Sequence, residues 1–347
     1  MNWMFATDVL RVMAIGILLL LGVMLFRVRR RDQHVYLSLA FSAALISYLI
    51  VDWPPAWQSP LAYFLLAGAF AIPLLLWFVA RALFEDHFAL RGRHFILLAV
   101  VVLVDYGIYF LNTSVLATTN RLVKTLGSFL PQALSLVFVL LAAFSAYVGR
   151  KDDLIEARAR FRAHFIILTA GLASLTLLAE IVLSQTASPQ PLEFLHKLAI
   201  LSVTGYFAAH TLEFRSGFFI AQPEPAPAFE PPPAELMSKL QKLLGQDKVY
   251  REEGLTITLL AKKLGEKEYK VRRLINRHMG FRNFNDFLNQ YRVQEACEIL
   301  LDATRANLTI LEIAYHLGYQ SLGPFNSAFK RQTGLTPTTY RKSHARD

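Results

Sequence analysis

Apolar residues in this chain come in two rhythms. Up to Phe214 they run in long, nearly unbroken blocks, and from Glu235 onward they recur every three or four positions among polar residues. Seven blocks are of the first kind: Val9–Val28, His34–Trp53, Pro60–Phe84, His94–Leu111, Leu126–Val148, Arg162–Leu183 and Leu192–Phe214. A hydrocarbon core about 30 Å thick needs roughly 20 apolar residues in a helix, so each block predicts a membrane-spanning helix. A buried helical soluble domain is the competing reading, and seven consecutive blocks of spanning length speak against it. The first block does not read as a cleaved signal peptide. Its apolar core is too long, no small-residue cleavage site follows, and Arg27, Arg29, Arg30 and Arg31 close it. Between the two rhythms, residues 221–234 carry six prolines, which favour an extended spacer of roughly 40 Å.

Charge gives these blocks a direction. Of the 347 residues, 54% are hydrophobic and only 18% charged, below the quarter or so of a soluble domain. The net charge is nevertheless +10, which points to an anionic partner such as nucleic acid or lipid headgroups. The loops after blocks one, three and five, counted with Arg27, Arg81 and Arg162 at the block ends, hold 12 Lys and Arg, against 2 in the alternate loops, Arg121 and Lys124. By the positive-inside rule the N-terminus is outside and the C-terminal part cytoplasmic, in a bacterial inner membrane. Ionisable residues within spans are costly and read as functional candidates. Asp105, Glu180 and Lys197 are the signal-sensing candidates. With Arg11 and Gln132 they fall in the outer half of the bilayer, and a Glu180–Lys197 pair that only fixes packing is the structural alternative. His164, His196 and His210 lie near block ends without metal-ligand spacing, and Pro73 and Pro131 are expected kinks. The single cysteine, Cys297, excludes an intrachain disulfide and a multi-cysteine metal site.

Past the spacer, short amphipathic helices contain an internal repeat. Leu260, Ala261, Leu264 and Gly265 match Ile313, Ala314, Leu317 and Gly318 at an offset of 53, and Val271, Ile275 and Gly280 match Phe325, Phe329 and Gly334 at 54. Small alanines allow two helices to cross closely. Each first glycine ends the first helix in a left-handed conformation, and the i, i+4 apolar pair docks the second. Two helix-turn-helix units follow, at about 257–279 and 309–333. The outward side of each second helix is donor-rich: Lys267, Tyr269, Lys270, Arg272 and Arg273 in the first, and Ser321, Asn326, Ser327, Lys330 and Arg331 in the second. Such side chains suit phosphates and base edges. A solvated basic face would explain either unit alone, whereas two copies favour double-stranded DNA.

The stretch Leu255–Arg341 resembles the AraC/XylS-type DNA-binding domain. The resemblance rests on Asn289-x-Tyr291-Arg292-Val293-x-x-Ala296-x-x-x-Leu300, on Ile313-Ala314-x-x-x-Gly318-Tyr319, on Phe325-x-x-Ala328-Phe329-Lys330 and on Gly334-x-Thr336-Pro337-x-x-Tyr340-Arg341. It covers about a quarter of the chain, and the layout as a whole is similar to the membrane-embedded branch of that family. It implies seven helices, a rigid connector at Tyr291–Asp302, and a recognition helix in each of two successive major-groove turns. Gly323-Pro324 departs from the commoner Ser-aromatic at the start of the second recognition helix, and proline is tolerated in a helix's first turn. Cys297 falls within the connector, as a core residue.

The expected architecture is therefore all-α: a seven-helix transmembrane bundle over residues 1–220, a linker over 221–234, and a soluble domain with two helix-turn-helix units over 235–347. The expected function is a membrane-bound one-component transcription regulator. Its expected partners are DNA and membrane lipid, with a small-molecule effector and a second copy of the chain as candidates, and no cofactor or metal is implied. A membrane enzyme such as an acyltransferase with a DNA-binding tail is the alternative, but the sequence holds no paired catalytic acid and histidine, no HExxH, no GxSxG and no P-loop. A carrier is weaker still, because paired repeats and broken helices are not evident in the first half.

Overall fold

The computed structural model describes residues 3–27, 32–51, 53, 60–113, 121–183, 190–213 and 233–344. Most of the linker and the side chain of Glu180 lie outside the described residues. Among the described residues there are fourteen α-helices and no strand. Seven are long: α1 (Trp3–Phe26), α2 (Gln33–Val51), α3 (Leu61–Phe84), α4 (Gly92–Thr113), α5 (Arg121–Tyr147), α6 (Glu156–Leu183) and α7 (Gln190–Glu213). Seven are shorter: α8 (Ala234–Gly245), α9 (Ile257–Leu264), α10 (Glu268–Arg273), α11 (Phe284–Leu301), α12 (Ile310–His316), α13 (Leu322–Thr333) and α14 (Pro337–His344). They form two compact units, Met1–Arg150 with Arg160–Gln222, and Lys151–Ala159 with Pro223–Asp347.

In the first unit, α1 to α4 and the Phe129–Tyr147 part of α5 are long and apolar enough to cross a membrane. Their outer faces leave large apolar side chains uncovered, among them Phe64, Leu103, Phe110 and Phe144, a surface that water would penalise. Helix α3 packs against α2, α4 and α5, and α1 packs against α2 and α7. The α2–α3 approach depends on Gly68, where an added Cβ would sit 2.6 Å from the Ser47 side chain. Pro73 and Pro131 lie inside α3 and α5.

Arg162, counted above with the basic loop after the fifth block, is buried inside the bundle. Its buried guanidinium donates to the carbonyls of Ala146 (3.1 Å) and Val148 (2.9 Å) at the end of α5, and to that of Phe84 (2.8 Å) at the end of α3. One arginine thus satisfies the open carbonyls of two helix C-termini, where a cation is favoured. His164 and His210, distant in sequence, stack with ring centroids 6.4 Å apart, and Tyr206 touches both rings. Asp105 is buried in α4, Lys197 is buried in α7 with its ammonium 4.9 Å from the Tyr48 ring, and Arg11 pairs with Asp8 at 2.8 Å.

In the second unit, α11 is a spine shared by two cores. Its first half gives Phe284, Phe287 and Leu288 to a cluster with α8, α9 and α10, and its second half gives Val293, Ala296, Ile299 and Leu300 to a cluster with α12 and α13. The helix starts seven residues before the expected connector, at Phe284, because the Asn283 side chain accepts from the backbone N–H groups of Asn285 and Asp286. Cys297 is half-buried against the second core, and burial pushes its thiol up.

Candidate nucleic-acid interface

Both helix-turn-helix units form from the residues that the repeat singles out. Thr256 caps α9 by accepting from the Leu259 N–H, and Thr309 caps α12 in a reciprocal box with Glu312. The turns then need a left-handed residue, which Gly265 (φ 67°) and Gly318 (φ 80°) supply. Ala261 and Ala314 are buried at the crossings, and Val271, Ile275, Phe325 and Phe329 are completely buried beneath the second helices. In the first unit α10 passes into a single π turn over Leu274–His278. In the second, Pro324 sits in the first turn of α13, where its missing N–H has no intrahelical partner to lose.

One arginine locks the units to the spine. Arg292 of α11 donates to the carbonyls of Tyr250 (2.6 Å) and Glu252 (3.0 Å), and its guanidinium lies 5.0 Å from the Tyr319 ring. Tyr319 donates in turn to Asn289 at 2.8 Å. One helical turn further along α11, buried Glu295 receives Lys248 at 2.7 Å and Arg251. Burial alone would raise its carboxyl, but hydrogen bonds from Arg251, Lys248 and Tyr250 outweigh that and hold it at about 2.

The donor-rich faces point outward. Lys267, Tyr269, Lys270 and Arg273 are exposed on α10 or its approach, and Ser321, Ser327, Lys330 and Arg331 on α13, with Asn326 half-buried. Lys270 pairs with Glu266 at 2.9 Å and Arg331 with Asp286 at 2.8 Å, so each carries a local carboxylate that a phosphate would have to displace.

Arg272 is different. It is half-buried, bound to Glu268 at 2.7 Å, and its guanidinium donates to the carbonyls of Asp153 and Lys151, the latter at 3.2 Å. The segment Lys151–Ala159, the loop after α5 with the first turn of α6, is part of the DNA-binding unit and lies as a strap beside α10. Its backbone pairs with residues 282–284: Leu154 N–H donates to Arg282 (3.0 Å), Phe284 N–H donates to Asp152 (2.8 Å), and Asp153 bridges Asn283. Leu154 enters the first core, and Asp153 and Arg158 form a wholly buried ion pair at 2.7 Å. Asn285 donates to the Asp152 carboxylate at 2.9 Å. Sequence reasoning missed this strap, because in the chain it reads only as a charged loop. The paired aspartates Asp152 and Asp153, set among basic residues, were its one local signal.

A family model described as a helix-turn-helix domain matches residues 260–343. Over 102 residues the chain is 30% identical to the regulatory protein SoxS of Escherichia coli strain K12, covering 29% of this chain and 92% of that protein. The chain belongs to the AraC/XylS-type family. It is also 26% identical over 98 residues to the probable transcription factor PqrA of Proteus vulgaris, covering 28% of this chain and 77% of that one. No solved structure matches. As a member of the AraC family, the chain is a DNA-binding transcription regulator whose DNA-binding unit lies at its C-terminal end, joined there by the strap.

Proposed function

We propose that this AraC-family chain is a membrane-bound one-component regulator. In this reading seven spans, N-terminus out, form the sensor, and the C-terminal unit binds promoter DNA at the cytoplasmic face of a bacterial inner membrane. DNA is engaged through Lys267, Tyr269, Lys270 and Arg273 of the first unit and through Ser321, Asn326, Ser327, Lys330 and Arg331 of the second. Arg272 joins them when the strap releases it.

The strap is the observation that carries this reading. Lys151–Ala159 and the helix-turn-helix units pack together, so they lie on the same side of any membrane. In this reading the chain between them, α6 and α7, crosses an even number of times. Two crossings added to the five apolar helices give seven, and the loop after α5 falls on the basic side. The strap also gives the sensor a mechanical hold on the first helix-turn-helix. A change in bundle packing that shifts the start of α6 pulls on the segment that clasps Arg272, and an effector acts by favouring one of the two packings.

The experiment is genome-wide mapping of DNA bound by the full-length protein, with membrane fractionation of the same cells and transcripts compared in its absence. Discrete promoter occupancy by membrane-held protein, with altered transcription of those genes, is the expected result. Occupancy only by a soluble fragment would overturn it.

A further inference from the structure

The first unit holds a partly open cavity of about 560 Å³, within the range of small-molecule pockets. Its wall is hydrocarbon over most of its length, from residues such as Leu25, Leu76 and Phe165, and among the described residues no Asp, Glu, Lys or Arg lines it. Asp105 and Lys197, singled out by their charge, are therefore not part of it.

The cavity's larger polar groups gather toward one end. Arg162 ties the C-termini of α3 and α5 to the beginning of α6, Gln33 bonds to residues just past α3, and Tyr206 of α7 meets His164 of α6. One end of the bundle thus holds the start of α2 and α6 and the finish of α3, α5 and α7. Tyr48 and Thr176, late in α2 and α6, and Gln132 and His196, early in α5 and α7, all lie toward the other end. Thr176 donates to the Leu172 carbonyl (2.9 Å), so its 3.0 Å contact with His196 Nε2 uses the imidazole N–H as donor. Gln132 Oε1 is buried and accepts no hydrogen bond. An unpaired buried acceptor is costly, and water entering the cavity would find too few partners along the apolar wall.

We infer that the cavity binds a neutral, single-chain amphiphile, its hydroxyl head donating to Gln132 Oε1 and its hydrocarbon tail filling the apolar end. None of the described lining residues carries a carboxylate, ammonium or guanidinium, so a charged head would meet no counter-charge among them. The size takes one chain and not a two-chain phospholipid. The inference deepens the sensing reading, on which it rests for its regulatory meaning, while its chemistry is measurable without DNA.

The test uses the full chain in phosphatidylcholine nanodiscs and dodecan-1-ol bearing a mid-chain diazirine. Labelling should saturate, map to cavity-lining peptides, and be displaced by dodecan-1-ol roughly tenfold better than by dodecanoate or dodecylammonium. Gln132→Leu, which removes a buried unpaired acceptor and so should fold, should weaken dodecan-1-ol binding roughly tenfold and leave displacement by dodecane unchanged. Leu76→Trp should abolish labelling by filling the space. Labelling that does not saturate, that falls on the outer face around Leu103, or that charged analogues displace equally well would overturn the site. DNA occupancy read in the same samples separates the two claims: saturable labelling with unchanged DNA binding would uphold the site and remove the sensing role.

Discussion

The guanidinium of Arg272 donates to the backbone carbonyl of Asp153, 119 positions earlier in the chain. Arg272 stands on the exposed side of the first helix-turn-helix, so one side chain serves both the strap and the face that DNA would meet. On the proposed function this ties two equilibria together: whatever loosens the strap would free a guanidinium for DNA.

Asp153→Ala tests the strap directly. The Asp153–Arg158 pair is almost wholly shielded from solvent, and removing the carboxylate takes this ion-pair partner from a buried guanidinium. The expected loss is about 3–5 kcal/mol of local stability. It should be seen as faster amide exchange across residues 272–288 of the full-length protein, and unchanged protection there would refute the strap as a structural part of the unit.

Two glycines in the second helix-turn-helix should behave oppositely. Gly318 has φ 80°, and an added Cβ would collide with the Arg251 carbonyl, so Gly318→Ala should cost at least about 2 kcal/mol. Gly323, in the first turn of α13, has open space around it and no positive φ, so Gly323→Ala should stabilise by about 0.5–1 kcal/mol. Thermal unfolding of the two variants decides.

Glu295 predicts a specific acid sensitivity. Its carboxyl is held at about 2 against an ordinary 4.5. Its contribution to stability is therefore complete above about pH 4.5 and is lost as pH falls toward 2. Glu295→Gln should flatten the stability profile across that window and lower stability at neutral pH, where Lys248 and Arg251 lose their counter-charge.

For DNA, Lys330→Ala should weaken binding to all sequences alike and lower the log–log salt slope by about 0.9 if Lys330 contacts one phosphate. Asn326→Ala should relax preference at particular base pairs, costing about 1–3 kcal/mol. Binding titrations of the full-length protein over a salt series, on matched and mismatched sites, separate the two. Unchanged preference in Asn326→Ala would mean that α13 presents a different face.

The topology is open to reporter fusions. Alkaline phosphatase fused after Leu116 should be active, and fused after Ala89 inactive, because the basic loops hold the latter inside. The reverse pattern would refute the orientation.

What the sequence revealed follows from the range over which each cause acts. The two helix-turn-helix units were legible because Ala261, Gly265, Val271 and their counterparts act within a few residues of one another, as a small residue, a left-handed glycine and an apolar anchor. The long helices were legible from composition alone. Arg162 was misread as a loop charge because capping the ends of α3 and α5 depends on contacts 14 to 78 positions away. The connector's true start was missed because Asn283 acts as an N-cap ahead of the motif. The cavity left no signature beyond Gln132, since its wall uses the same leucines and phenylalanines as the core around it. Reading spans by their charges drew attention to Asp105 and Lys197, neither of which is among the described residues that line the cavity.

The strap also sets an order of events in biosynthesis. Asp152 leaves the ribosome 133 residues before its partner Asn285, and α6 and α7 are made in between. At about 5–20 residues per second that interval is on the order of 10 s. Until it ends Leu154 has no complete first core to enter, because α11, which supplies Phe284, Phe287 and Leu288, does not yet exist. A nascent chain therefore cannot finish its DNA-binding head until its last two long helices have been laid down, and a chain that mislays either one reaches the chromosome with that head incomplete.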